Sequence, residues 1–276
     1  MTSRKSEVHM TTMQIQEAPA AMIDRISTVL DAFVGQRPLT LAEVARRSNL
    51  PPSSTHRILQ RLVELGWVER SGFEYALGIR MFELGAHVVR QRGVHQAALP
   101  VMTRLNRQTG CTAYLSTLVG SEILHLDRVG LWPKAGPSWG VGARQQVELT
   151  AAGRALLAAI PVDDWPELTF ATAPTCYSVR SRSRLERELQ RVRDRGGVAV
   201  DSQGCALGVT VVAAVVNVHD DRGPVALSLC GPTKSVRTDA LVAAARSGAA
   251  DIWHGVPGMP RMRNRSVRPA AAVGFR

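Results

Sequence analysis

The chain has 276 residues, 45% of them hydrophobic, with a formal net charge of +11 and an isoelectric point near 10.6. That length fits one large or two modest domains. It carries no apolar run near the roughly 18–20 residues of a membrane span, no signal-peptide core and no cysteine density of a secreted scaffold, so a cytoplasmic protein with no membrane partner is expected. The charge favours polyanions, nucleic acid first. Only Lys5, Lys134 and Lys234 of the 34 basic residues are lysine, however, and such an arginine bias also follows genome base composition. Charge alone therefore does not decide the partner.

Residues 1–20 are polar and aperiodic, an expected disordered segment. From Ala21 the apolar residues Ile23, Ile26, Val29, Leu30 and Phe33 recur on one helical face, and Gly35, Arg37 and Pro38 close that helix. Thr40 with Glu43 three residues on is a capping-box signature, which predicts a helix over 41–47. Asn49 suits a left-handed closing position, and Pro51 and Pro52 block continuation. A third helix is predicted over 53–65, ending at Gly66. Residues 67–69 and 73–75 read as two short strands around a turn at 70–72. Two short helices, a tight break and a hairpin follow one another as in a winged helix-turn-helix.

Residues 78–110 read as largely helical, with an interdomain helix over 81–92 and a first helix of a second domain over 99–109. Strand-like runs follow at 112–119 and 123–129, then a Gly/Pro-rich loop at 131–142 that suits a pocket cover or a subunit contact. Helices fit 151–159 and 184–195, strands fit 198–201, 209–216 and 225–230, and a last helix fits 238–253. Residues 257–276 hold three prolines and five arginines with no acid, an expected disordered tail. This mixture predicts an α+β fold. The expected divisions are 1–20, 21–82 for the DNA-reading head, 83–256 for the linker helix and second domain, and 257–276.

In a helix-turn-helix the second helix enters the major groove N-terminus first. Ile58, Leu59, Leu62, Val63 and Leu65 supply its buried stripe. Ser53, Ser54, Thr55, Arg57, Gln60 and Arg61 supply groups for phosphates or base edges. Ser54 and Thr55 lie where free amides attract anions. Arg57 is the best candidate for a guanine contact, and Arg61 serves equally as a phosphate anchor. His56 fits packing or a phosphate contact. Thr40 at the first cap and Arg70 and Ser71 in the wing complete the candidate set. Arginines outnumber acids only slightly here, so affinity should need two heads.

Catalytic and metal readings find little support. Residues 136–140 fit GxSxG, but Pro133 and Lys134 precede them and no helical stripe follows, unlike a nucleophile elbow. The histidines form no ligand set, and 219–223 reads as a turn. No catalytic residue, metal or cofactor is assigned.

The chain resembles the IclR family of bacterial transcription regulators. The resemblance runs through Leu41–Ala45, Leu50-Pro51, Ser54–Leu59, Leu65–Glu69 and Tyr75–Gly78, then Leu124–Val129, Ala152–Ala158, Arg193–Gly197 and Gly231-Pro232, all in order. It implies a winged-helix domain, a linker helix and a C-terminal effector-binding domain with a GAF-like sheet. It also implies homodimers or homotetramers, a double-stranded operator, and an organic acid or aromatic metabolite as effector. Repression is the expected outcome; activation, a metabolite-binding enzyme with an accessory domain, and a nonspecific DNA binder are the alternatives. By resemblance the effector pocket maps to Thr150, Ala151, Ala152, Asp201, Val209, Val211, Ser228 and Cys230. The sequence departs from the family where Glu148 replaces a histidine, where Cys230 precedes Gly231-Pro232, and where the acidic run is thinned to Asp201-Ser202-Gln203. Those departures suggest a larger or less polar ligand.

Overall fold

The computed structural model describes residues 19–256 apart from 36, 92, 133–138, 171–172 and 217–222. Of the segment 1–20 expected to be disordered, Pro19 and Ala20 are helical and residues 1–18 fall outside the described residues, as do the expectations for 257–276, for the GxSxG serine Ser138 and for the His219 turn. By its internal contacts the chain divides into two units after His87.

In the first unit, α1 (Pro19–Asp31) is followed by β1 (Leu39–Thr40), α2 (Leu41–Ser48), α3 (Pro52–Glu64), β2 (Val68–Ser71) and β3 (Glu74–Leu77). The strands form an antiparallel sheet in the order β1-β3-β2. Val29, Phe33, Val44, Leu59, Leu62 and Tyr75 meet in one core between the helices and this sheet. Thr40 caps α2 reciprocally: its hydroxyl accepts from the Glu43 amide at 3.3 Å, and the Glu43 carboxylate accepts from the Thr40 amide at 2.8 Å. Asn49 ends α2 in the left-handed conformation, φ 53°. α3 starts one residue earlier than predicted, because a proline in the first turn loses no hydrogen bond and has its φ already set. The hairpin also differs from expectation. Ser71 pairs with Glu74, so the turn is only Gly72-Phe73, and Arg70 and Ser71 belong to β2. Gly72 at φ 59° supplies the positive dihedral this tight connection needs.

α4 (Ile79–Gln91) runs across the division. The second unit is a six-stranded antiparallel sheet in the order β6-β5-β4-β9-β8-β7. Its strands are β4 (Thr112–Val119), β5 (Glu122–Val129), β6 (Arg144–Gln146), β7 (Val198–Ser202), β8 (Val209–Val216) and β9 (Val225–Pro232). α5 (Gly93–Thr109) and α8 (Thr238–Gly255) cover one face, and α6 (Ala151–Ala159) and α7 (Arg182–Asp194) cover the other. Alternation along the strands divides the side chains: Leu115, Val212 and Leu227 face α5 and α8, while Tyr114, Val211 and Cys230 face α6. α5 begins six residues before the predicted start. Val94, Ala98, Val101, Met102 and Leu105 form one buried stripe, and that packing carries the helix through Pro100. β6 was not foreseen, since Arg144-Gln145-Gln146 shows no apolar alternation.

Candidate functional site

The first unit presents one polar helix face. No side chain caps the start of α3, and Pro52 has no amide, so the Ser53 and Ser54 amides precede the first intrahelical bond, from Thr55 N–H to Pro51 C=O. Such an end attracts anions. Ser53, His56, Arg57, Gln60 and Arg61 are exposed, and Ser54 is half-buried. Among the described residues Arg57 makes no ion pair or hydrogen bond. Arg61 is held 2.8 Å from Glu64.

Three of the sequence-predicted positions behave otherwise than expected. Thr55 is fully buried, and its hydroxyl donates to the Pro51 carbonyl at 3.1 Å, so it locks the turn and does not face outward. Thr40 spends its hydroxyl within its own cap. Arg70 donates to the Gly72 carbonyl at 2.9 Å and lies over the Tyr75 ring, which stiffens the hairpin. Ser71 remains exposed beside it.

The second unit holds a small cavity at the start of α6. Thr150, Ala151, Ala152, Val211, Ser228 and Cys230 line it, six of the positions named from sequence. Thr150 caps α6, accepting from the Gly153 amide at 2.9 Å, and leaves the Ala151 and Ala152 amides ahead of the first intrahelical bond. Gly153 is required there, since a Cβ would overlap the Val147 carbonyl. The cavity measures about 20 Å³, the room of about one water.

Asp201 and Val209 do not line this cavity. Asp201 is 5% exposed and pairs with the equally buried Arg154 at 2.6 Å. Its second oxygen accepts from the Cys205 amide at 2.9 Å, so it fixes the bend after β7. Its carboxylate fills the space beside Gly204, where a Cβ would strike it. Val209 is plain core.

Sequence reasoning missed Tyr114, Ile123, His125, Trp139, Gln145 and Cys205 on the cavity wall. Polar groups thus reach the cavity from β4 and β5. The only signal was Tyr114 and His125 interrupting apolar strand runs. Their meeting depends on the β4–β5 register, which shifts at Leu115/Ser116 in a bulge that re-aims side chains. Ser116 Oγ lies 2.8 Å from His125 Nδ1, and the Arg128 guanidinium sits 5.6 Å from the Tyr114 ring centre. Burial pulls the His125 imidazole down to about 4, with Arg128 adding to the effect, and pushes the Tyr114 phenol up to about 12. Burial likewise raises the Cys205 and Cys230 thiols, Cys230 to about 12. All four groups are uncharged at neutral pH, and none suits nucleophilic chemistry.

Among the described residues there is no metal-holding cluster and no helix long and apolar enough to cross a membrane.

Known proteins match both units. The model of the IclR helix-turn-helix domain matches residues 22–72, and that of the bacterial transcriptional regulator IclR C-terminal domain matches residues 86–254. The HTH-type transcriptional regulator BhcR of Paracoccus denitrificans is 29% identical over 236 residues, covering 81% of this chain and 84% of that protein. The transcriptional repressor IclR of Escherichia coli is 26% identical, covering 73% and 76%. A crystal structure of an IclR homolog from Microbacterium hydrocarbonoxydans, complexed with 4-hydroxybenzoate, superposes with a TM-score of 0.73 at 25% identity, covering 85% of this chain and 98% of that one. An IclR regulator from Alicyclobacillus acidocaldarius gives the same TM-score at 24% identity, covering 86% and 98%. The chain belongs to the IclR family of bacterial transcription regulators, with a helix-turn-helix DNA-binding domain and a C-terminal effector-binding domain.

Proposed function

We propose that this regulator is a cytoplasmic homo-oligomer that represses transcription at a specific operator. The exposed face of α3 reads the major groove: Arg57 contacts a base, and Ser53, Ser54, His56, Gln60 and Arg61 contact phosphates or neighbouring bases. Ser71 in the wing reaches the backbone. The cavity at the start of α6 takes a small organic acid or aromatic effector, which is bound and not converted. Because the cavity holds about one water, an effector has to widen it, and that widening shifts the population between states of different operator affinity.

The observation that carries the DNA reading is Arg57, without a partner among the described residues, on an exposed helix face whose leading amides are uncapped. The repressor names of the E. coli IclR and of the Salmonella acetate operon repressor support the sign. The bound 4-hydroxybenzoate of the Microbacterium homolog supports the effector class. Ile79 and Phe82, 65% and 72% exposed one turn apart on α4, support self-association, since large apolar groups concentrated on one exposed helix favour a partner.

The test is binding to a mapped operator and to random duplex of equal length. Arg57→Ala is expected to cost about 1–3 kcal/mol on the operator and much less on random DNA. Equal weakening on both would make Arg57 a backbone anchor. Uniform footprinting coverage that vanishes steeply with salt would replace the whole reading with nonspecific binding.

A further inference from the structure

Two buried polar atoms on the effector-pocket wall have no hydrogen-bond partner among the described residues: the Tyr114 hydroxyl and His125 Nε2. They come from adjacent strands, with ring centroids 4.9 Å apart, and both side chains line the cavity with Thr150, Ala151 and Ser228. Proteins rarely leave such groups unsatisfied, because a buried donor or acceptor without a partner forfeits its hydration.

The tautomer of His125 follows from the partners of Ser116. Ser116 is fully buried, and among the described residues its hydroxyl meets only His125 Nδ1, at 2.8 Å. The hydroxyl proton therefore goes to Nδ1, and Nε2 carries the ring hydrogen. The cavity thus offers one donor, Nε2–H, beside a phenol that both donates and accepts. A carboxylate oxygen could accept from both groups, but the amides at the start of α6 offer the carboxylate its own place, which leaves the pair to a hydroxyl whose oxygen accepts from Nε2–H and whose proton goes to the phenol oxygen. The remaining surroundings suit a flat acid. The Tyr114 and Trp139 rings stand 6.4 Å apart, Arg128 lies over the Tyr114 ring, and the amides at the start of α6 favour a carboxylate.

We propose that Tyr114 and His125 form a hydroxyl-reading subsite that selects an aromatic acid bearing a ring hydroxyl over the same acid without it. The proposal rests on the reading of this cavity as the effector pocket. Discrimination of this kind is strong, because the unhydroxylated acid leaves two buried polar groups unpaired.

The experiment is calorimetric titration of the full chain with 4-hydroxybenzoate and with benzoate. It compares wild type, Tyr114→Phe, and two cavity-filling variants, Ala152→Leu and Ser228→Leu. Wild type is expected to bind 4-hydroxybenzoate at least tenfold more tightly. Tyr114→Phe brings the ratio near one while keeping benzoate affinity, and the filling variants lose both ligands. Equal affinity for the two acids in wild type, with loss in the filling variants, overturns the subsite but keeps the pocket. Binding that survives in both filling variants overturns the pocket reading itself. Failure of both acids to bind wild type overturns the ligand class. A ligand-free measurement is independent of these: Tyr114→Phe should melt at or above the wild-type temperature. A lower melting temperature would mean that the hydroxyl has a structural partner, which also overturns the proposal.

Discussion

Asp201 shows how one residue type in one place supports two opposite readings. From sequence it is a pocket acid that contacts a ligand. In the fold it is a buried partner of Arg154, accepting from the Cys205 amide as well. Removing one member of such a pair leaves a buried charge uncompensated, at a cost of about 3–5 kcal/mol. Asp201→Ala should therefore lose stability of that order in a denaturant titration of the second unit's transition. A variant that unfolds like wild type but no longer responds to effector would restore the ligand-contact role. His125 makes a second prediction. Its folded value, about 4, lies below the ordinary 6.5, so between these limits the unfolded chain takes up the proton and the folded chain does not. The stability it contributes is full above pH 6.5 and is lost as pH falls toward 4, by about 3 kcal/mol. Urea titrations at pH 7 and pH 4.5 check this, with wild type expected to lose more stability between them than His125→Gln does.

At the level of elements, the strongest sequence signals were those in which local chemistry and packing agree. Thr40 and Glu43 form the cap their spacing announced, and Asn49 takes the left-handed turn. Losing that cap costs about 1 kcal/mol on average. Thr40→Ala should lower the stability of the DNA-reading head by that amount, read by thermal melting of the first unit's transition, and an unchanged melt would show the cap to be energetically idle. Where packing overrides local signals, the sequence misleads. α5 runs through Pro100 because its apolar stripe is buried, and β6 forms from three polar residues because β5 offers an edge. The wing turn was read one residue pair too early, since a glycine at the first turn position does not reveal how the flanking strands pair. Most of the pocket's floor was readable from α6, β8 and β9 by resemblance. Its ceiling was not: Tyr114, His125 and Trp139 meet only through a strand register, a bulge and a long loop.

For the molecule as a whole, the sequence order of helices and strands was enough to separate a DNA-reading head from an α+β second unit. It was not enough to say where the charge does its work. The +11 balance lies mostly outside the head, with residues 257–276 alone contributing five arginines and no acid, so specificity falls to a few groups on α3. The two cores of the second unit share one wall. Tyr114 faces α6, and Ala113 and Leu115 face α5 and α8, on a β4 strand that is bonded on both sides, to β5 and to β9. Neither core can loosen without disturbing that strand, so its opening approaches global unfolding. In deuterated buffer, the backbone amides of residues 113–117 should accordingly be among the last in the second unit to acquire deuterium, with rates set by whole-unit opening. Rapid labelling there, while the flanking helices stay protected, would mean that the two cores open independently.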